Sequence, residues 1–176
     1  MCDGSALLKD QPLHDDACWF RTLTNEDHLT RAGTLHYQAL KGAQFSPADP
    51  GMPWDHELSG RALCLAGDAS QIEVDGKARI EAIKMKYAAS GKGLPSKIKF
   101  VGVASAPAIE VRHSFGVVRS DTAFTPNGSD NAHSDLVTFG TSSDADVDVV
   151  RLWLQTKLRI TKANNLHVLI SSCGQA

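Results

Sequence analysis

No apolar run in this chain approaches the roughly 20 residues that a membrane-spanning helix needs, so no membrane partner is expected. Cysteine is scarce. The four present, Cys2, Cys18, Cys64 and Cys173, form no CxxC pair and keep no regular spacing, which argues against a zinc knuckle or a thioredoxin-type motif; no metal is expected. Charge of one sign is also missing. Eighteen basic residues against twenty acidic ones leave a formal net charge of −2, which removes the general attraction to phosphate backbones, so nucleic acid is not indicated. The N-terminus lacks the basic-then-apolar order of a signal peptide, and with the sparse cysteines this points to a cytoplasmic location with reduced thiols. HExxH, HxH, GxSxG and GxxxxGK[ST] are all absent, and Gly91-Lys92-Gly93 is too short to count as a phosphate loop. No cofactor can be named from what remains.

What is there suits one globular domain. A length of 176 residues, 42% of them hydrophobic, can bury a sizeable core without disulfides or metal. Residues 1–16 are polar and without period, and are expected to form a flexible tail; residues 17–176 form the domain. Ala17 to Leu23 reads as a strand, rich in aromatic and β-favouring residues. Thr24 to His28 offers helix caps, and Leu35 to Leu40 is ambiguous between strand and helical turn. Phe45 to Pro53 holds three prolines and a glycine and reads as a loop.

Trp54, Leu58, Ala62 and Leu65 or Ala66 recur at helical spacing, with Gly67 as a C-cap, so a helix is expected there. Asp68 with Gln71 resembles a capping box for a second helix, with Ile72, Ile80, Ile83 and Tyr87 as its apolar stripe and Gly76 as a possible break. Ile98–Val103, one or two strands within Ile109–Val118, and Leu136–Phe139 read as strands. Ser143 with Asp146 caps a late helix whose inward face is Val149, Val150, Trp153, Leu154 and Leu158. Leu166 to Ile170 is a last strand. The class is α+β: a mixed or antiparallel sheet packed against two to four helices.

Polar and titratable residues crowd into Asn127–Asp135, just before the apolar run Leu136–Phe139. If a strand begins near His133, its period of two puts His133 and Asp135 on one face and Ser134 on the other. A carboxylate beside an imidazole fixes the ring tautomer and raises its basicity, as a general base or a metal ligand would use; the competing reading is a histidine that locks a loop. Asp55-His56-Glu57 would lie in a helical first turn, where adjacent side chains diverge and acidic residues already answer the helix dipole. Cys64, inside Ala62–Ala66, reads as a small buried hydrophobe, though a Cys64–His133 dyad could be assembled in space. Lys77, Arg79, Lys84, Lys86, Lys92, Lys97 and Lys99 read as a solvated helix face plus a loop.

Arg21, His36, Tyr37 and Asp135 follow the order in which ADP-ribosyltransferase-like domains place an early Arg or His, a Tyr or Ser and a late acidic residue. A second resemblance rests on Arg21–Leu40, with its Gly33-centred turn, and on Asp130-Asn131-Ala132-His133-Ser134-Asp135. Together these are similar to a group of small bacterial proteins with a late Asn-(Pro)-Ala-His-Ala-acidic motif; here the proline is absent and Ser134 replaces the second alanine. That resemblance implies a bacterial cytosolic protein and draws attention to His133, without an activity to carry over.

Two functions are therefore carried forward. The first is an interaction module or subunit of a multi-gene system, working with a protein partner and with a homo-oligomer possible. The alternative is a small transferase or hydrolase using His133 as base or ligand and Asp135 to orient it, with Arg21 or His36 holding an anion. Whether the chain is an enzyme stays open at this level.

Overall fold

Cys18–Thr24 forms strand β1 as the aromatic, β-favouring composition requires: Trp19 and Leu23 go to one face, Phe20 to the other, and all three are buried. The computed structural model describes residues 7–25, 45–91 and 98–173. Among them are seven further strands: β2 Ser46–Pro47, β3 His56–Ala62, β4 Phe100–Pro107, β5 His113–Phe115, β6 Val118–Phe124, β7 His133–Phe139 and β8 Arg159–Lys162. Four α-helices accompany them: α1 Ala69–Ala89, α2 Ala108–Val111, α3 Asp144–Leu154 and α4 Leu166–Cys173. The strands make one antiparallel sheet in the order β5-β6-β7-β3-β1-β4-β8, with β2 added to β3. The sheet is curled like half a barrel, and the architecture is a single-domain α+β one.

One face of the sheet carries the larger core. Trp19, Leu23, Leu58, Ala62, Ala104, Ala106 and Leu136 meet Val147, Val150 and Leu154 of α3 there. Ser143 caps α3 through the expected box with Asp146. Val147, rather than the expected Val149, turns inward, and Val149 is exposed. Gly60 has no side chain because Trp19 lies over it: a Cβ there would sit 2.3 Å from the indole. The indole N–H donates to the Ser134 carbonyl at 3.0 Å.

The opposite face holds two smaller apolar groups. Cys18, Phe20 and Val103 pack with Ile72 of α1 and with Leu166 and Leu169 of α4. Farther along, Trp54, Ala123 and Val137 form the other. α1 begins as expected, with the Asp68 carboxylate accepting from the Gln71 backbone N–H. Gly76 does not break this helix; it lets the Phe100 ring approach.

Four expectations are corrected. The segment 54–66 is largely strand β3, because apolar residues at 54, 58 and 62 fit an even-numbered strand face as well as a helical stripe. Leu166–Ile170 belongs to helix α4, and its buried Leu166 and Leu169 lie one helical turn apart. Within the expected tail, Leu13 is buried and residues 10–13 bond β6: Asp10 N–H donates to the Phe124 carbonyl, and Phe124 N–H to the Gln11 carbonyl. Finally, Cys18 and Cys64 are both disulfide-bonded, and Cys64 is exposed. The expectation of reduced thiols therefore loses its basis, and Cys64 is no free nucleophile. The expected elements within residues 26–44 lie outside the described residues.

Candidate functional site

Between the two apolar groups on the second face lies a polar band, and strand register builds it. β3 and β7 pair so that Ser59 faces Asp135 and Arg61 faces His133. The period of two then places Glu57, Ser59 and Arg61 of β3 beside His133 and Asp135 of β7 on one face. Thr125, just past β6, reaches the same place, because its N–H donates to the His133 carbonyl at 3.2 Å. Arg79 descends from α1.

The hydrogen bonds in this band run in one direction. His133 Nδ1 lies 2.7 Å from the Thr125 carbonyl oxygen, which can only accept, so Nδ1 carries the proton. With the proton on Nδ1, the neutral form of the ring has a bare Nε2, and to that form Ser59 Oγ, 3.1 Å away, donates. Arg79 donates to Ser59 Oγ at 3.3 Å. On the other side of the ring, Thr125 Oγ1 donates to Asp135 Oδ2 at 2.7 Å and accepts from Nδ1 at 3.1 Å. Asp135 Oδ2 is itself 3.8 Å from Nδ1.

Burial raises the Asp135 carboxyl above its ordinary range, opposed by the Thr125 hydroxyl, His133 and Arg79. Glu57 is raised as well, chiefly by burial; the Trp54 indole N–H, donating at 3.2 Å, lowers it, and the neighbouring Asp135 and Asp49 raise it. The band thus holds two carboxyls that resist ionisation next to an imidazole whose Nε2 meets the Ser59 hydroxyl.

Beside it, under α1, is a cavity of about 450 Å³. Phe20, Thr22 and Ile72 line it together with Gly76, Arg79, Asp130 and others. Arg61 stands on its wall, fixed by Asp75 at 2.6 Å and by Asp130 at 3.0 Å. Arg79 belongs to both places: it lines the cavity and bonds Ser59.

Of the residues singled out in the sequence, His133 and Asp135 do come together. Arg21 does not join them. It shares β1's face with Trp19 and Leu23, whereas Phe20, paired with Arg61, faces the polar band, so Arg21 lies on the opposite side of the sheet. Arg21 is therefore not placed to hold an anion beside His133 and Asp135, which corrects its part in the ADP-ribosyltransferase-like order. His36 and Tyr37 lie outside the described residues. His56 also points to the other face, where its Nδ1 meets Thr141 Oγ1 at 2.8 Å; Asp55 accepts from Thr141 N–H at 2.9 Å, and both serve the β7–α3 connection. On α1, Lys77 pairs with Glu73 and Lys84 with Glu81.

Ser59, Thr125 and Arg79 are the members that sequence reasoning missed. Ser59 was hidden by reading residues 54–66 as a helix. Read as a strand, Glu57-Ser59-Arg61 is an alternating polar set opposite Leu58-Gly60-Ala62, and that alternation was the available signal. Among the described residues no group of three or more His, Cys, Asp or Glu is arranged to hold a metal ion. No described helix is long and apolar enough to cross a membrane. The chain matches no family model, no curated protein and no solved structure.

Proposed function

We propose that this protein is a small hydrolase of the acyl-transfer type, with Ser59 as nucleophile, His133 as general base and Asp135, acting through Thr125, as the positioning carboxylate. The observation that carries the reading is the fixed tautomer of His133, whose Nδ1–H is held by the Thr125 carbonyl so that Nε2 is left to receive the Ser59 proton. In the acylation step Ser59 Oγ attacks the ester carbonyl carbon as its proton passes to Nε2. The C–O bond to the leaving alcohol then breaks, and Nε2 returns the proton to that oxygen. Water repeats the sequence on the acyl-serine, releasing the acid and restoring the Ser59 hydroxyl. The likeness of residues 130–135 to a motif in a bacterial protein group supports attention to His133. Disulfide-bonded Cys18 and Cys64 favour an oxidising compartment over the cytoplasm.

The test is hydrolysis of p-nitrophenyl acetate, together with labelling by a fluorophosphonate probe. Ser59→Ala should abolish both, with the label mapping to the Ser59 peptide. His133→Ala should lower the rate by about 10²–10⁴-fold with the circular dichroism spectrum kept. Unchanged hydrolysis by Ser59→Ala would remove the proposal.

A second reading, the interaction module, is favoured by one observation: α3 turns Val149 and Leu152 to solvent, beside the half-buried Trp153. If that face joins two copies, Leu152→Glu should convert a dimer to a monomer in light scattering. A wild-type monomer would count against self-association.

A further inference from the structure

From the cavity under α1 we infer a binding pocket for a small organic carboxylate with a short apolar body, the carboxylate resting on Arg79. The inference rests on the hydrolase reading only where it assigns this pocket to the substrate; as a binding site it stands on its own geometry.

Arg61, Arg79, Asp75 and Asp130 leave the lining without net charge, so the pairing of each guanidinium, not the charge sum, points to the anion. Arg61 is neutralised from two sides, by Asp75 and Asp130, and Gln71 Nε2 is held by Asp75 Oδ1 at 2.6 Å. Arg79 differs from Arg61. Among the described residues its hydrogen bond is the one to the Ser59 hydroxyl, a neutral acceptor, and it makes no ion pair. Most of its N–H fork is therefore unused, on the wall of a cavity, and such a fork matches a carboxylate in two parallel bonds.

The rest of the lining selects the body. Phe20 and Ile72, both almost wholly buried, give the floor a small apolar area within a lining that is otherwise mostly polar, which suits a short apolar body. Gly76 and Ala78 keep the helix side low, and Thr22 adds one hydroxyl. A volume of about 450 Å³ is of small-molecule size and too small for a folded partner.

Arg79 reaches Ser59 Oγ, so a ligand held by its carboxylate carries any ester a few bonds away to the Ser59 hydroxyl. The substrate class that follows is the half-ester of a short dicarboxylic acid, with the free carboxylate on Arg79 and the ester carbonyl at Ser59.

Binding is tested in the Ser59→Ala variant by amide chemical-shift titration with butyrate and with 1-butanol, its neutral counterpart. Butyrate should saturate, shift the amides of Thr22, Gly76 and Ala78, and bind at least about tenfold more tightly than butanol. Arg79→Gln should bring butyrate down to the butanol level. Ser129→Phe, on the exposed rim, should block both ligands. Equal affinity for butyrate and butanol, shifts elsewhere, no binding, or an Arg79→Gln variant that binds butyrate normally would each overturn the pocket. Butyrate binding as described, with no hydrolysis of monomethyl succinate and no fluorophosphonate label at Ser59, would leave the pocket standing and remove the hydrolase reading.

Discussion

Arg79 and Asp135 stand at the two ends of one hydrogen-bond chain in which every donor points toward the carboxylate. Arg79 donates to Ser59, Ser59 to His133 Nε2, His133 Nδ1 to Thr125 Oγ1 as the longer arm, 3.1 Å, of a bond shared with the Thr125 carbonyl at 2.7 Å, and Thr125 to Asp135. Such chains polarise their members cooperatively. This one has a cation at the donating end and a buried carboxyl at the accepting end, so each step draws the Ser59 proton toward His133. A histidine that merely locked a loop would need the Thr125 contacts but not the Ser59 contact on its other nitrogen.

Thr125→Val tests the link nearest the carboxylate. The methyl keeps the volume, His133 keeps its bond to the Thr125 backbone carbonyl, and Asp135 loses the hydroxyl that lowers its raised pKa. An ionised carboxylate without that donor costs more to bury, so the variant should lose about 1–3 kcal/mol near neutral pH. The loss should shrink in acid, where a protonated Asp135 no longer needs a donor. Urea unfolding at pH 4 and pH 7 reads the difference; an equal loss at both would show that Thr125 does not serve the charge.

Asp135→Asn should act in the opposite sense on stability and against activity. Burial raises the folded-state pKa of Asp135 above 3.8, so over the window from 3.8 up to the folded value the native chain holds more protons than the unfolded one. That contribution to stability is present below the window and is lost as pH rises through it. Asparagine removes the pH dependence and still accepts from the Thr125 hydroxyl. The variant should therefore gain on wild type in thermal melts between acid and neutral pH, while ester hydrolysis falls at least about tenfold because the imidazolium loses its counter-charge. Parallel loss of stability and activity would argue that Asp135 is a structural group.

The legibility of these features in the sequence follows from how each is encoded. The pairing of His133 with Asp135 needed only the two-residue period of a strand, and the capping box at Ser143 is local chemistry. β3 was illegible because spacings of four satisfy both helix and strand, and the choice between them is made by the neighbours β1 and β7 that bury Leu58 and Ala62. With β3 misread, Ser59 could not be placed opposite Asp135. Arg79 was legible as a helical residue, but its reach to Ser59 depends on how α1 lies over the sheet, which Gly76 against Phe100 helps to set. The disulfide state of Cys18 and Cys64 was hidden because sequence spacing says nothing of distance in space.

Reduction offers a direct check on Cys18 and Cys64. Both are disulfide-bonded, so peptides containing them should be unreactive to iodoacetamide in denaturant until a reductant is added. A bridge contributes typically about 2–4 kcal/mol, and about 2–4 °C accompany each kcal/mol in a domain of this size, so reduction should lower the melting temperature by about 5–15 °C. Cysteines alkylated without reductant would return the chain to a reducing compartment.

Gly60→Ala separates the integrity of the sheet from the chemistry of the site. The added methyl carbon would lie 2.3 Å from Trp19 Cε2 and 2.5 Å from its Nε1. The indole cannot move aside cheaply, because it is fully buried and its N–H holds the Ser134 carbonyl. Relief must come from separating β1 and β3, and the cost should reach about 3 kcal/mol, the upper end for overpacking a core. Gly60 faces away from the polar band, yet its neighbours Ser59 and Arg61 belong to it, so activity should fall only in proportion to the unfolded fraction. Measured well below the lowered melting temperature, hydrolysis and fluorophosphonate labelling at Ser59 should stay within about twofold of wild type. A well-folded variant without labelling would mean that the β1–β3 contact, and not the polar chain alone, sets the position of Ser59.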